Sequence, residues 1–174
     1  MNNFAFAINN RGQVVGESDL PGDATGHAFL WTKEDGMQDL GTLPGDFSSV
    51  AYGINNKGQV VLQSCDLNFN CRIALWQEGV MTDLNTLTPP GSLYLVSPFA
   101  INDRGEIAGL GCAASNGTCP SEQLALLAVP CDGEGDCEAS SSPSQKVILP
   151  DNVREQLRQQ RALGRFRVGP IMPH

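Results

Sequence analysis

Apolar and polar positions alternate in short runs along this chain, and the runs are punctuated by the same polar corner three times. Val50-Ala51-Tyr52-Gly53-Ile54 has the period of two expected of a strand. Phe4-Ala5-Phe6-Ala7-Ile8 and Ser97-Pro98-Phe99-Ala100-Ile101 are its counterparts. Side chains two apart share a face, so alternation groups Phe6, Tyr52 and Phe99 with Ile8, Ile54 and Ile101, opposite the small residues Ala7, Gly53 and Ala100. Each run enters a corner: Asn9-Asn10-Arg11-Gly12, Asn55-Asn56-Lys57-Gly58, Asn102-Asp103-Arg104-Gly105. Asn tolerates turn geometry and the fourth-position Gly accepts a positive φ, so each corner predicts a tight hairpin into a second strand such as Gln59-Val60-Val61-Leu62.

A third strand is predicted at His27-Ala28-Phe29-Leu30-Trp31, Ile73-Ala74-Leu75-Trp76 and Leu124-Ala125-Leu126-Leu127. Tight turns at Lys33-Glu34-Asp35-Gly36 and Gln77-Glu78-Gly79 lead to a fourth, at Met37–Leu43 and Val80–Leu87. The corners recur at steps of 46 and 47 residues. Four short strands in roughly 40–50 residues is the spacing of a propeller blade. The predicted fold is therefore all-β, three four-stranded antiparallel blades of an incomplete β-propeller, in units of about 3–45, 48–91 and 95–130. Propellers have about four to eight blades, so three leave the array open or truncated. A start directly inside a strand makes a fragment the expectation, with completion by further copies and an open arc as alternatives. Residues 131–150 read as an acidic, Ser/Pro-rich linker in which Lys146-Val147-Ile148-Leu149 is a candidate last strand. Residues 151–174 read as a basic tail, either disordered or carrying a short helix over 151–163 that Asp151 caps.

His27-Ala28-Phe29-Leu30-Trp31, Asp39-Leu40-Gly41-Thr42-Leu43-Pro44-Gly45 and Ile8-Asn9-Asn10-Arg11-Gly12-Gln13-Val14-Val15-Gly16 together resemble the HAF family of extracellular repeats, named for the His-Ala-Phe triplet. The resemblance spans residues 3 to about 131. The second unit departs from it, with Arg72-Ile73-Ala74 near the triplet and Asn85 for Gly41, and the third is degenerate. The resemblance implies a secreted bacterial propeller-like protein and carries no activity or catalytic residues with it.

Six cysteines fall into three close pairs: Cys65 with Cys71, Cys112 with Cys119, and Cys131 with Cys137. The first two pairs follow the second strand of their units, where antiparallel strands joined by a short loop come within disulfide reach. Each bridge would add about 2–3 kcal/mol by chain-entropy reasoning. Zinc sites use closer cysteine spacings or added histidines, and only His27 and His174 exist here. Disulfides persist in oxidising compartments, which predicts a secreted, periplasmic or cell-surface location.

Net charge is −8, carried unevenly: residues 1–145 hold five Lys/Arg against seventeen Asp/Glu, and residues 146–174 hold six against two. An acidic body argues against nucleic acid as a partner, since that affinity comes from Lys/Arg on phosphates. No apolar run approaches a membrane span. His27 is the body's one histidine and reads as an edge residue facing solvent or a turn; no Gly-x-Ser-x-Gly elbow accompanies it. Asp39 and Asp83 repeat at equivalent places, which suits capping or strand-bonding better than catalysis, and Asn9, Asn55 and Asn102 read as turn formers. Asp132-Gly133-Glu134-Gly135-Asp136 opens like a calcium loop, but Pro143 stands where the bidentate Glu belongs. Asn116-Gly117-Thr118 is a glycosylation sequon by spacing, without meaning in a bacterial chain.

The expectation is a non-enzymatic, secreted or cell-surface repeat protein serving as a binding module or scaffold. It would use no cofactor and no metal, its partner would be a surface ligand or protein, and its open sheet edges would permit self-association. The alternative is a fragment of a secreted propeller enzyme acting on glycans or esters, its active site lying in blades outside this chain.

Overall fold

Eleven strands form among the described residues, each from one of the alternating runs between turns. The computed structural model describes residues 2–130, except 21, 23–24, 89–91, 114–118 and 120–122. These residues belong to one compact unit, 1–139. The acidic linker, the candidate strand 146–149, the tail helix, the Asp132–Asp136 loop and the sequon at Asn116 lie outside the described residues. So do Cys131 and Cys137.

The first sheet is β1 (Asn3–Ile8), β2 (Val14–Asp19), β3 (Gly26–Thr32) and β4 (Gly36–Gly41), in that spatial order. The second repeats it with β5 (Ser48–Ile54), β6 (Val60–Cys65), β7 (Cys71–Gln77) and β8 (Val80–Asp83). The third contains β9 (Tyr94–Ile101), β10 (Ile107–Cys112) and β11 (Leu124–Ala128). All pairings are antiparallel between chain neighbours. The third sheet has three described strands, and the candidate for its fourth, 146–149, lies outside the described residues. One expectation is corrected. In the second sheet the fourth strand stops at Asp83 and the chain turns through a 3₁₀ segment, Leu84–Leu87, whose N-terminus Asp83 caps by accepting from the Asn85 N–H. This 3₁₀ turn is the one helical element among the described residues.

Alternate residues of β6 serve two cores, which is why the middle sheet reads as a nearly continuous apolar run. Val60 and Leu62 pack with Ala74 and Trp76 against Val15, Ala28 and Leu30 of the first sheet. Val61 and Ile73 pack on the other side against Leu95 and Ile107 of the third. The opening strand of each later sheet does the bridging. Gly53 in β5 shows why a small residue is needed there: a Cβ at that position would sit 3.3 Å from Ala100 Cα and 3.2 Å from Ile101 N of β9. Any larger side chain would push the two sheets apart.

Cross-strand size matching explains the second unit's departure from its first-unit counterpart. Gly16 lies opposite Phe29, Leu62 opposite Ala74, and Gly109 opposite Leu126. Each pair places one large and one small side chain on adjacent strands, so the volume stays nearly constant while its source switches strand. Asn85 standing for Gly41 is compensated in the same way. In the first unit the Ser49 hydroxyl donates to Gly41 C=O and accepts from the Ala28 N–H. The matching position one sheet later is Leu95, which has no hydroxyl. There the Asn85 amide accepts from Leu95 N–H and donates to Leu95 C=O.

The polar corners are more than turns. Asn55 Oδ1 accepts from the Lys57 and Gln59 N–H groups, and the Gly58 N–H closes the turn on Asn55 C=O with Gly58 at φ +82°. The Asn55 side-chain amide donates to Gln59 Oε1 and, across to the next sheet, to Asn102 C=O. Asn9 does the same toward Asn55 C=O. The following residue adds a second rung: Asn10 N–H donates to Asn56 Oδ1, and Asn56 N–H and Nδ2 donate to the two oxygens of Asp103. The three corners thus form a ladder in which each donates to the next. Asn55 is only 3% exposed. Replacing it with Ala leaves turn N–H groups and Asn102 C=O without these partners, so Asn55→Ala is expected to cost about 2–3 kcal/mol in urea unfolding, against about 1 kcal/mol for the half-buried Asn9.

The ladder is also acid-sensitive. Hydrogen bonds from the Asn56 backbone and side chain hold the Asp103 carboxyl below its ordinary pKa. Its folded-state pKa is therefore lower than its unfolded one, the unfolded chain binds more protons in between, and stability is lost as pH falls through that window. The urea midpoint is expected to drop between about pH 5 and about pH 3, and Asp103→Asn should flatten that slope.

Candidate functional site

One aromatic residue per sheet is pushed out of register at the same point of the opening strand. The pairing of β1 with β2 skips Phe6, that of β5 with β6 skips Tyr52, and that of β9 with β10 skips Phe99. Each is a β-bulge, which leaves one residue unpaired and re-aims its side chain. The simple alternation expected from sequence therefore fails here. Ile54 is buried in the first core while Tyr52 of the same strand is only half-buried, and Phe6 is 49% and Phe99 55% exposed. Phe4 is 54% exposed on the same strand as Phe6. The Phe4 and Phe6 ring centroids lie 6.4 Å apart at 21°, and Phe6 and Tyr52 lie 5.6 Å apart at 23°. Phe4, Phe6 and Tyr52 thus form a row of nearly parallel rings that crosses from the first sheet to the second along their first-strand edges.

One carboxylate, Glu17, stands beside this row. Glu17 pairs directly with Phe4 across β1 and β2. Its side chain lies over Gly26, where an added Cβ would come within 2.2 Å of Oε1. Burial, then the charge of Asp19, raises the Glu17 pKa. Burial and the Glu17 charge raise that of the Tyr52 hydroxyl. The Glu17 carboxyl thus stands close enough to the row for its charge to act on the Tyr52 phenol.

The loop end of the sheets, opposite the Asn corners, carries a second cluster. Strand register places Arg72 opposite Ser64 as His27 lies opposite Ser18, so the two are equivalent. His27 is not an edge residue: it sits within β3, where Nδ1 is 3.0 Å from Asp39 Oδ1 on β4. Asp39 also accepts from the Gly41 N–H. In the second sheet the pair becomes Arg72 Nη1 to Asp83 Oδ2 at 3.0 Å, and Arg72 Nη2 reaches Asp46 Oδ1 at 2.7 Å. The Asp46 side chain is only 3% exposed, and its Oδ2 has no hydrogen-bond donor among the described residues. Tyr94 lies near enough that burial first, then Asp83, raises its pKa. Asp39 and Asp83 bond neighbouring strands and cap turns. Sequence reasoning misses the Arg72–Asp46 link, although the repeated Asp set against His27 and Arg72 is the signal for it.

Cys65 and Cys71 are disulfide-bonded across the β6–β7 loop with Cα atoms 4.1 Å apart, and Cys112 and Cys119 across the β10–β11 loop at 5.6 Å. Where three bridges were predicted, the described residues therefore hold two. Cys137 and its predicted partner Cys131 both lie outside the described residues, so the third bridge, Cys131 to Cys137, is not among those observed. Asp66 organises the first loop by accepting from Asn68 and Asn70. Among the described residues no cluster of three His, Cys, Asp or Glu could hold a metal ion, and no helix is long and apolar enough to cross a membrane. The chain matches no known protein family, curated protein or solved structure.

Proposed function

We propose that this chain is a secreted or cell-surface binding module of the HAF-repeat type, its sheets acting as consecutive blades of an open or truncated β-propeller, without catalytic activity of its own. The observation that carries this reading is the bulge repeated in all three sheets, which turns Phe6, Tyr52 and Phe99 out of the strand pairing. Exposing a large apolar ring costs stability that burial would recover. A lone exposed ring is ordinary, but rings presented in register by a repeated device mark a contact surface. The two short disulfide loops suit an oxidising compartment. Asp39, Asp46 and Asp83 support a structural role, since each is engaged by His27 or Arg72.

The test is thermal denaturation of the wild-type chain and of Phe6→Ala/Tyr52→Ala in the presence of extracellular polymers, peptides and lipid vesicles. A ligand bound to the native state raises the melting temperature as RT ln(1 + [L]/Kd). At least one ligand class is expected to stabilise the wild type and to lose that effect in the variant. Turnover of a glycan or ester by the wild type would replace this reading with the enzyme alternative.

A further inference from the structure

We propose that the Phe4–Phe6–Tyr52 row, with Glu17 at its rim, is a docking site for an extended, basic polypeptide segment. This rests on the binding reading above and gives its ligand a chemical class. Three observations converge on it.

The first is charge. Among the described residues, Glu17, Asp19, Asp39, Asp46, Asp66 and Asp83 gather toward the loop end of the strands, where Arg72 is the one arginine or lysine. Arg11, Lys33, Lys57 and Arg104 all lie at the opposite end, where Glu34, Asp35, Glu78, Asp103 and Glu106 nearly balance them, so the excess of negative charge sits at the loop end. Cations approaching the row are attracted; a phosphate-bearing chain is repelled. A neutral glycan gains nothing from the carboxylates' charge.

The second is ring chemistry. The face of an aromatic ring attracts an ammonium or guanidinium placed within about 6 Å of its centroid. With centroids 5.6 and 6.4 Å apart, a cation seated at the junction of two neighbouring rings lies within that distance of both. Arginine adds planar stacking to this attraction and presents a fork of donors to a carboxylate such as Glu17.

The third is spacing. An extended peptide rises about 3.3 Å per residue, so its same-face side chains repeat at about 6.6 Å. The rings repeat at 5.6–6.4 Å. Basic residues at every second position of an extended segment running along β1 therefore fall in step with Phe4 and Phe6, with Tyr52 of β5 beside the second of them. Among the described residues β1 is moreover an edge strand of its sheet, and its outer side can take an added strand.

The experiment uses the full chain and fluorescence anisotropy with three labelled probes: an octapeptide alternating arginine and serine, its glutamate counterpart, and a neutral cello-oligosaccharide. The arginine peptide is expected to bind and the other two are not. Phe6→Ala/Tyr52→Ala should weaken binding at least about tenfold and Glu17→Gln about threefold, and raising the salt should weaken the wild type. Phe6→Ala alone, at an exposed position, keeps the test valid if the double variant fails to fold. No binding of the arginine peptide, equal binding of the glutamate peptide, or an affinity unchanged by Phe6→Ala overturns the proposal. Oligosaccharide binding lost with the rings, in place of peptide binding, overturns the cationic class and leaves the binding reading standing. Failure of every ligand here and in the thermal panel removes both.

Discussion

Arg72→Ala is expected to destabilise the chain by about 3 kcal/mol, although Arg72 lies at the surface end of its strand. The arginine fork joins Asp46 and Asp83, carboxylates whose side chains are mostly buried. Removing it leaves two carboxylates facing each other with water largely excluded, and Asp46 already has one oxygen without a donor among the described residues. Breaking a buried pair by deleting one partner costs more than the pair itself contributes. Urea unfolding of Arg72→Ala measures the loss. Arg72→Lys should recover only part of it, because one ammonium cannot present the fork that reaches both acids. Asp46→Asn in the Arg72→Ala background should restore stability relative to Arg72→Ala alone. If Arg72→Ala unfolds with the wild-type midpoint and slope, the cluster carries no such weight.

The second large effect lies in the middle sheet. Leu62 is fully buried opposite Ala74. Leu62→Gly should cost about 4–5 kcal/mol from lost burial, an unfilled cavity and a flexible strand position. Ala74→Phe should cost about 2 kcal/mol by overpacking. The first sheet solves the same geometry with Gly16 opposite Phe29. The double variant, Leu62→Gly/Ala74→Phe, recreates that arrangement and should be more stable than the sum of the single losses by about 2 kcal/mol or more. Strict additivity in the cycle would show that the two positions do not share one volume.

Both predictions concern places where the sequence says less than the structure. The strands were legible because period-two alternation and an Asn/Gly corner are local signals, and the repeat supplied them three times over. The bulges were not. One unpaired residue leaves no mark on a short alternating run, and Phe6-Ala7-Ile8 reads as regular until its pairing with β2 is seen. The Asn corners were legible as turns and illegible as rungs, since a donor reaching 46 or 47 residues ahead is fixed by how sheets stack. Cysteine pairing was legible where strands flank the loop: Cys65 and Cys71 are cross-strand partners, and Cys112 closes β10. Cys131 and Cys137 differ from these pairs, because their expected bond rests on spacing alone and no described strand flanks both. Arg72 is intermediate. Its standing in the second unit near the place of the naming triplet is visible, but sheet register is needed to make it the equivalent of His27 and to bring Asp46 to its other side.

The middle sheet buries both of its faces, and its corner both gives and receives hydrogen bonds, while each flanking sheet has one described neighbour. Opening should therefore begin at the flanks and reach β6 last. In hydrogen exchange, the amides of Val60 to Ser64 should be the slowest to exchange and report global unfolding, with those of β1 and β11 fraying well before them.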